Sequence, residues 1–548
     1  MKKRLLTAIA LSAVMALSAC PGAIQSVPDI IPEEPVFDFE NGTKSGFFPR
    51  GGTEELTVVR GFAHTGEYSL MVSGRTELFH SAEIRIDQFI ERDKEYLITA
   101  WIYIKTPVPT DIKLLTQIGE GDDMRIDTIF SRNGVRSREW VELQGDFFYG
   151  SDADNYISLF IENGEHGGEY YIDDVSVVEI DSGNKLNLNL PALKDVYADY
   201  FLFGSAFVPA DLSGIRFALI RHHFNAMTAG NAMKPDAMQP NEGMFRFNRM
   251  DEMEEILSSF GIVLCGHTLV WHEQSSAWLN KDSEGEPISR EQAMQNLIGH
   301  IHGVAGHYAG RVIMWDVLNE GMADGPSNPT NWRGALRKSD WYNAFENGAD
   351  KENDEGGWDY VYLAFVEARK ADPNAILYYN DYNLDYQNKS IATAAMVKEL
   401  NERWLAEGND RLLIEGIGMQ AHYNMGTKPE DVEASIIRFI ELGVEISITE
   451  LDITVEGAKG NESLTPEQEM RQARLFAELM VIYKKYSDHI VRVTVWGLDD
   501  STSWRADRFP LLFNSDLSAK AAYYAMVDPE GFLADPEGTI ERINALAG

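Results

Sequence analysis

From about residue 190 onward, short apolar runs recur along the chain, and helix-like stretches separate them. Strands that alternate with helices form a parallel sheet, because each helix carries the chain back before the next strand begins. Eight such units over about 350 residues predict a closed (β/α)8 barrel. The runs cover residues 201–208, 226–231, 262–271, 312–320, 375–381, 416–422, 444–452 and 491–498.

Residues 36–181 carry a different pattern, in which strand-like runs are short and are separated by Gly, Asn and Asp. A chain of 548 residues is too long for one hydrophobic core. The spacing and alternation therefore predict a separate all-β unit, a jelly-roll or sandwich, in front of the barrel. Its clearest runs cover residues 56–59, 96–103, 156–161 and 170–178. We expect residues 182–194 to form a linker and residues 195–548 to form the barrel.

The first residues have the pattern of a targeting segment. Lys2, Lys3 and Arg4 precede an apolar run over residues 5–17 that is too short to span a membrane. The sequence Leu-Ser-Ala-Cys at residues 17–20 resembles a bacterial lipobox. This resemblance implies that residues 1–19 are removed as a signal peptide and that Cys20 becomes a lipid-modified N-terminus; an ordinary signal peptide with a nearby cysteine is the alternative.

Residues 20–35 contain four prolines and show no periodicity, so we expect a Pro-rich spacer between the lipid anchor and the folded part. A lipid on Cys20 would hold the protein to a membrane without a spanning helix. The predicted location is the bacterial cell envelope, with the folded part facing either the periplasm or the outside.

The composition is acidic, with 48 Lys and Arg residues against 86 Asp and Glu residues and a net charge of −38. Such a surface repels nucleic acid, so no nucleic-acid partner is expected, whereas a neutral polymer such as a plant glycan is compatible with it. The two cysteines, Cys20 and Cys265, do not make a disulfide framework or a structural zinc site. Cys265 lies inside the third apolar run and is expected to be a small buried residue.

Polar and aromatic residues cluster at the ends of the predicted strands, where barrels of this kind carry their chemistry. Glu320 ends the fourth strand and Glu450 ends the seventh, so a closed barrel places them across its mouth. Glycoside hydrolysis needs such a pair, one group to protonate the leaving oxygen and one to attack or to activate water. No zincin spacing, Gly-rich phosphate loop or nucleophile-elbow serine competes with this interpretation.

At these positions the sequence resembles glycoside hydrolase family 10, the β-1,4-xylanases. The matching motifs occur in the family's order across residues 195–530, and we expect the activity of that family: endo-acting, retaining hydrolysis of β-1,4-xylosidic bonds in xylan. The resemblance implies no metal and no organic cofactor. The motifs are GHTLVWH at 266–272, WDVLNE at 315–320, LYYNDYN at 377–383, GIGMQAHY at 416–423, ITELDI at 448–453, VWGLDD at 495–500 and PLLF at 510–513.

The resemblance also implies roles for single residues. Glu320 would be the acid/base and Glu450 the nucleophile, and retention implies carboxyl groups about 5–5.5 Å apart. His422 would hydrogen-bond Glu450, and Asp452 would support it by fixing the imidazole ring. Sugar hydroxyls and rings would be bound by Asn231, Lys234, His267, Trp271, Asn319, Gln420, His422, Trp496 and Trp504.

One position departs from the family pattern. The second strand ends in Gly-Asn-Ala-Met-Lys at 230–234, where the family has Glu-Asn-x-Met-Lys. Gly230 thus replaces the acidic residue that grips the distal, non-reducing-side xylose. We expect weaker binding of short oligomers than family relatives show.

The all-β unit resembles carbohydrate-binding module family 22. The matching segments are DFENGT at 38–43, AHTGEYSL at 63–70, SGRT at 73–76 and YYIDDVSV at 170–177. The resemblance implies that Arg50, an aromatic residue after SGRT and an acidic residue near the last strands contact xylan. Phe79 stands where a Trp is usual, and Glu162 is the candidate acidic residue, so the module either binds weakly or is purely structural.

Two alternatives to a xylanase stay open. The first is a related retaining β-1,4-glycanase that acts on glucan or on a mixed-linkage polymer, because such barrels share the two glutamates. The second is a glycan-capture lipoprotein whose barrel has lost catalysis. For the main interpretation the expected partners are xylan and xylo-oligosaccharides, together with a membrane through the lipid on Cys20, and a monomer is expected.

Overall fold

The computed structural model describes residues 35–547 except 106–107, 122–123, 137, 151–155, 165–167 and 460–462. Cys20 and the predicted signal peptide and spacer up to residue 34 lie outside the described residues. Within the described part of the chain, none of the helices combines the length and the apolar character that crossing a bilayer requires.

Two antiparallel sheets form the N-terminal unit. One sheet has the strand order β3-β4-β11-β6-β9, with β1 paired to β11, and the other has the order β2-β5-β10-β7-β8. Their facing sides share one core of aliphatic and aromatic residues, which confirms the predicted sandwich. The strands are β1 (Val36–Phe37), β2 (Phe48–Pro49), β3 (Glu55–Arg60), β4 (Tyr68–Ser73), β5 (Ala82–Arg85), β6 (Lys94–Ile104), β7 (Thr110–Ile118), β8 (Arg125–Val135), β9 (Trp140–Tyr149), β10 (Ile157–Asn163) and β11 (Tyr170–Ile180).

A closed parallel barrel forms the C-terminal unit. Strand β12 pairs with both β13 and β20, and β17 pairs with both β16 and β19, so the sheet has no open edge there. The sixth predicted run is split into β17 and β18, and both segments pair with β19. The predicted barrel is confirmed. Its strands are β12 (Leu202–Phe207), β13 (Ala226–Ala229), β14 (Val263–Val270), β15 (Val312–Asn319), β16 (Ile376–Asp381), β17 (Gly416–Met419), β18 (His422–Asn424), β19 (Glu445–Thr454) and β20 (Ile490–Val495).

Helices surround the barrel and cover the outer faces of its strands. Because the strands are buried on both faces, they read in the sequence as continuous apolar runs. The helices are α1 (Leu193–Val196), α2 (Gly214–His223), α3 (Pro235–Met238), α4 (Asn248–Ser259), α5 (Arg290–His307), α6 (Trp332–Ala335), α7 (Asp340–Glu346), α8 (Asp359–Ala371), α9 (Gln387–Ala406), α10 (Pro429–Ile440), α11 (Pro466–Lys485), α12 (Ala521–Val527), α13 (Pro529–Ala534) and α14 (Pro536–Ala547).

The two units touch through strand β9. Phe147 packs in the sandwich core, whereas its neighbour Phe148 packs in the barrel core, because successive strand residues point to opposite faces. The chain between the units is also tied to both of them. The Asn184 amide donates to Glu95 in the sandwich at 3.0 Å, and Lys185 pairs with Asp516 in the barrel unit at 2.8 Å.

Candidate active site

A cleft of about 650 Å³ opens at the C-terminal ends of the barrel strands. Parallel strands all end on this side, which brings residues from distant parts of the sequence together. The cleft is lined by both glutamates and by every residue predicted to bind substrate, which are Asn231, Lys234, His267, Trp271, Asn319, Glu320, Gln420, His422, Glu450, Trp496 and Trp504. Asp452 lies behind His422 and is fully buried.

Glu320 follows the last residue of β15 and has a left-handed backbone conformation with φ +58°. Its backbone N–H donates to the carbonyl oxygen of Asn380 at 2.8 Å. Its Oε1 accepts from the Gln420 amide at 3.0 Å and from the Asn319 amide at 3.3 Å. The His272 Nδ1 lies 3.9 Å from Glu320 Oε2. One carboxylate oxygen is thus held by two amides, while the other faces the cleft beside an imidazole.

Glu450 lies within β19 and is buried. Its Oε1 accepts from the Asn380 amide at 2.8 Å, and its Oε2 lies 3.2 Å from His422 Nε2. Burial by itself raises the pKa of this carboxyl, but the hydrogen bond from His422, the charges of His267 and His422, and the Asn380 amide outweigh burial. The pKa of Glu450 therefore lies below its ordinary value, and the group is ionised at neutral pH.

His422 is protonated at neutral pH. Burial lowers its pKa, but the charge of Asp452 and the hydrogen bonds to Asp452 and Glu450 raise it to about 9. Its Nδ1 lies 3.0 Å from Asp452 Oδ2. Asp452 in turn accepts from Trp504 Nε1 at 3.0 Å and from Arg505 at 3.1 Å. The charged ring thus bridges two carboxylates, and Asp452 has partners at both of its oxygens.

A short chain of amides joins the two glutamates. Asn319 Oδ1 accepts from the Gln420 amide at 3.1 Å and from the Asn380 amide at 3.0 Å. Gln420 also donates to Glu320, and Asn380 also donates to Glu450, so every link is a hydrogen bond. Thr449 donates to Asn380 Oδ1 at 2.6 Å and fixes the orientation of that amide.

Among these three amides, Asn380 has no role predicted from the sequence. The signal was present, because Asn380 is the next-to-last residue of β16 and therefore lies at the same end of the barrel as the glutamates. A single asparagine at a strand end does not by itself indicate a contact with a carboxylate two strands away.

On another wall of the cleft, Lys234 forms the centre of a polar group. Its Nζ donates to Asn231 Oδ1 at 2.9 Å and to Gln274 Oε1 at 2.6 Å, and it lies 4.7 Å from the centre of the Trp271 ring. Burial lowers the pKa of Lys234, and the charges of Glu450 and Glu320 oppose that effect. Gln274 was not predicted from the sequence.

His267 lies at the floor of the cleft, where it is almost fully buried. Its Nδ1 lies 2.9 Å from Asp316 Oδ2, and its ring meets the edge of Trp496 at 5.5 Å between centres. Trp504 lies at the rim and is 62% exposed, and the Arg505 guanidinium lies 4.4 Å over its ring. Arg337, Tyr382 and Arg505 also line the cleft and were not predicted.

Gly230 lines the same cleft and leaves open space in its wall. An added Cβ would meet only the Phe207 carbonyl oxygen, at an ordinary contact distance of 3.5 Å. The backbone there does not have a positive φ, so neither conformation nor packing requires glycine.

A second concave site of about 580 Å³ lies on the sheet that contains β5 and β10 of the sandwich. It is lined by all three residues predicted for glycan contact, Arg50, Phe79 and Glu162. Arg50 is fixed by an ion pair with Glu83 at 2.9 Å and lies 3.8 Å over the Phe160 ring. Phe79 is 48% exposed, which leaves its ring available for stacking.

Comparison with known proteins finds two matching family models, glycosyl hydrolase family 10 over residues 192–529 and a carbohydrate binding domain over residues 36–166. An endo-1,4-beta-xylanase A from Thermotoga neapolitana is 36% identical over 531 residues, which is 92% of this chain and 48% of that protein. The chain spans about half the length of the curated relatives it matches first. An endo-1,4-beta-xylanase from Geobacillus stearothermophilus is 35% identical over 354 residues, 62% of this chain and 99% of that protein.

Among solved structures, a GH10 xylanase from termite gut that contains a bacterial Ig-like domain superposes with a TM-score of 0.58 at 34% identity. The match covers 69% of this chain and 85% of that one. A xylanase from Thermoanaerobacterium saccharolyticum, solved in complex with xylotetraose, gives a TM-score of 0.54 at 34% identity over 62% of this chain and 100% of its own. The chain therefore belongs to glycosyl hydrolase family 10 and carries an N-terminal carbohydrate-binding domain.

Proposed function

We propose that the protein is an endo-acting β-1,4-xylanase that cleaves xylan with retention of anomeric configuration. The observation that carries this proposal is the pair of glutamates, one directly after β15 and one within β19, which line one open cleft and have different partners. Glu450 is ionised and immobilised by His422 and Asn380, as a nucleophile needs to be. The names of the xylanase relatives support xylan as the substrate.

In the first step, a Glu450 carboxylate oxygen attacks the anomeric carbon of the bound xylose, and the bond from that carbon to the glycosidic oxygen breaks. Glu320 gives its proton to the departing oxygen, so the aglycone leaves as an alcohol. The product is a glycosyl ester on Glu450. The protonated His422 ring donates to Glu450 and helps to keep its carboxylate ionised until the attack.

In the second step, water attacks the same carbon, and Glu320 accepts its proton. The ester bond to Glu450 breaks, and both glutamates return to their starting states. Two inversions at one carbon give net retention. Asn319 and Gln420 line the cleft between the glutamates, where we propose that they bind the sugar hydroxyl beside the cleaved bond.

The test is hydrolysis of xylan by the parent enzyme and by Glu450→Gln, with reducing ends as the readout. We expect the variant to lose activity by at least about 1,000-fold, because its amide cannot form the ester. Proton NMR of the first product should show the β-anomer before mutarotation. Prompt appearance of the α-anomer would contradict the retaining mechanism. Faster release of reducing ends from carboxymethylcellulose than from xylan would instead favour the glucan-active alternative.

The N-terminal module is proposed to bind xylan at the site lined by Arg50, Phe79 and Glu162. The exposed ring of Phe79 and the fixed Arg50 support this assignment. In a Glu450→Gln background, affinity electrophoresis in xylan should show weaker retardation after Phe79→Ala. Phe62→Ala, an exposed phenylalanine beside β6 and β11 of the other sheet, serves as the control. Equal retardation of both variants would indicate a structural module.

We propose a lipid anchor at Cys20 and a location in the bacterial cell envelope, on the strength of the Leu-Ser-Ala-Cys sequence at 17–20. Expression with a radiolabelled fatty acid should label the parent, whereas Cys20→Ser should stay unlabelled and leave the membrane fraction. Incorporation of label into Cys20→Ser would contradict the anchor.

A further inference from the structure

The segment that follows β15 carries Glu320. An arginine from further along the connection between β15 and β16 holds this segment. We infer that Arg337 is a positioning residue for the acid/base, because its guanidinium fixes the peptide from which the Glu320 side chain enters the cleft. This inference rests on the proposed function, since it takes Glu320 as the proton donor.

The Glu320 backbone needs external support. Its φ of +58° is a conformation that non-glycine residues adopt rarely and at a cost in energy. The N–H is held by the Asn380 carbonyl at 2.8 Å, and the carbonyl oxygen accepts from Arg337 Nε at 3.3 Å. Arg337 is thus the side chain that binds this peptide on the carbonyl side.

Arg337 is itself held in place by the segment it supports. Its backbone N–H donates to the Gly321 carbonyl at 2.8 Å, and Met322 and Leu336 form an antiparallel bridge beside it. Its side chain donates to Asp324 Oδ1 at 3.1 Å. The residues on both sides of this bridge are therefore tied by hydrogen bonds to the peptide that carries Glu320.

Tyr382 completes the clamp from the next strand end. Its hydroxyl accepts from Arg337 at 2.7 Å and donates to Asp324 in a short hydrogen bond. The ammonium group of the buried Lys389 lies 3.7 Å over the Tyr382 ring and pairs with Asp381 at 2.7 Å. These contacts limit rotation of the guanidinium and keep its Nε directed at Glu320.

Acid catalysis depends on where the proton is held. A displacement of about 1 Å at a reacting group can lower a rate by about 100-fold. Loss of the Arg337 bond should therefore damage the step that needs proton donation more than it damages binding of the sugar. This expectation separates a positioning role from a general contribution to folding.

The experiment compares Arg337→Met with the parent on two substrates. Xylotetraose has a poor leaving group that needs a proton from Glu320, whereas 2,4-dinitrophenyl β-xylobioside has a leaving group that departs without one. We expect kcat/KM of Arg337→Met to fall about 10- to 100-fold on xylotetraose and less than about 3-fold on the aryl glycoside. Because kcat/KM reports the steps up to the first irreversible one, the later base-catalysed step does not affect this comparison.

Arg333→Met is the matched control. Arg333 lies in α6, within the same connection between β15 and β16, but its guanidinium pairs with Glu399, at 2.5 Å and 3.0 Å. We expect this variant to keep kcat/KM on both substrates within about 3-fold of the parent, as surface ion pairs contribute little.

Two milder variants guard against misfolding of Arg337→Met. Arg337→Lys keeps a donor, and Tyr382→Phe keeps the ring but removes the hydroxyl that accepts from Arg337, so both should show the same selective loss to a smaller extent. Equal losses on the two substrates, or an unchanged rate on xylotetraose, would overturn the positioning role of Arg337 but not the proposed function. A parent enzyme that cleaves neither xylotetraose nor xylan would overturn the proposed function as well.

Discussion

Glu320 and Glu450 carry the same functional group in different surroundings, which fits the different roles proposed for them. Glu450 is buried and receives a charged hydrogen bond from His422, so its negative charge is stabilised. Glu320 receives amide hydrogen bonds at one oxygen and keeps the other beside His272. Burial lowers the pKa of His272, and the positive charge of Arg337 lowers it further. The imidazole ring of His272 is therefore neutral at neutral pH.

At the residue scale, Asp452→Asn tests the negative charge beside His422. Burial lowers the pKa of His422, and the charge of Asp452 is the first of the effects that raise it to about 9, so the ring of the variant should lose its proton at lower pH. The titration of His422 should therefore move down by at least about one unit, since one nearby charge shifts a pKa by about 1–3 units. Nitrogen-15 NMR of the imidazole between pH 5 and 10 provides the measurement, and an unmoved titration would contradict this effect of Asp452.

Gly230→Glu tests the open wall of the cleft. The position accepts a Cβ without a clash and lines the cleft next to Asn231. We expect kcat/KM on xylotriose to rise by about 10-fold, because a new hydrogen bond to a charged group contributes about 1.5–3 kcal/mol. Gly230→Ala controls for the loss of glycine alone. If Gly230→Glu brings no gain over Gly230→Ala, the glycine does not explain weak binding.

At the scale of single elements, helix α11 shows how local sequence sets a boundary. Thr465 is its N-cap and accepts from the Gln468 N–H at 3.3 Å, while the Gln468 side chain returns to the Thr465 N–H at 3.0 Å. Pro466 occupies the first helical position, and Glu467 and Glu469 lie near the positive end of the helix dipole. These features are local, so the sequence alone indicates them.

Thr465→Ala should therefore lower the free energy of unfolding by about 1 kcal/mol, because removal of the hydroxyl leaves the Gln468 N–H without its acceptor. Activity below the unfolding transition should not change, since the cap lies outside the cleft. Urea unfolding followed by circular dichroism measures the effect, and Thr465→Ser, which keeps the hydroxyl, should restore the stability of the parent. A full loss in Thr465→Ser would show that the hydroxyl is not the cause.

At the scale of the whole molecule, strand β9 belongs to both cores. Phe147 and Phe148 are neighbours in sequence, and one packs in the sandwich while the other packs in the barrel. Gly214 at the start of α2 lies against Asp146 on the same strand: an added Cβ would be 3.2 Å from the Asp146 Cβ. The unfolding of the two units should be coupled through this contact.

Phe148→Ala should weaken the coupling. We expect calorimetry to separate one unfolding transition into two and the stability of the barrel to fall by about 3 kcal/mol, the cost of a truncated core phenylalanine. Phe147→Ala is the matched control, because it should destabilise the sandwich but keep Phe148 in the barrel core, so the single transition should move to lower temperature without dividing. Identical thermograms for the two variants would show that the units do not unfold through this contact.

The sequence by itself determined the barrel, the sandwich and the strand ends that carry Glu320 and Glu450. Apolar periodicity and punctuation by turns are local properties, and burial of strands on both faces leaves a direct trace in the composition of each run. Weakly apolar strands such as β8, where most positions are exposed or half-buried, gave no such trace and were not predicted.

Beyond the contact of His422 with Glu450, which the family resemblance implied, only the tertiary structure decided which partners each glutamate has. Asn380 meets Glu450 across 70 positions of sequence, and Arg337 reaches the Glu320 carbonyl from a loop that carries no motif. A hydrogen bond requires a separation near 3 Å and a suitable angle, and neither follows from spacing along the chain. The closed barrel supplies both, because it brings the ends of all its strands to one face.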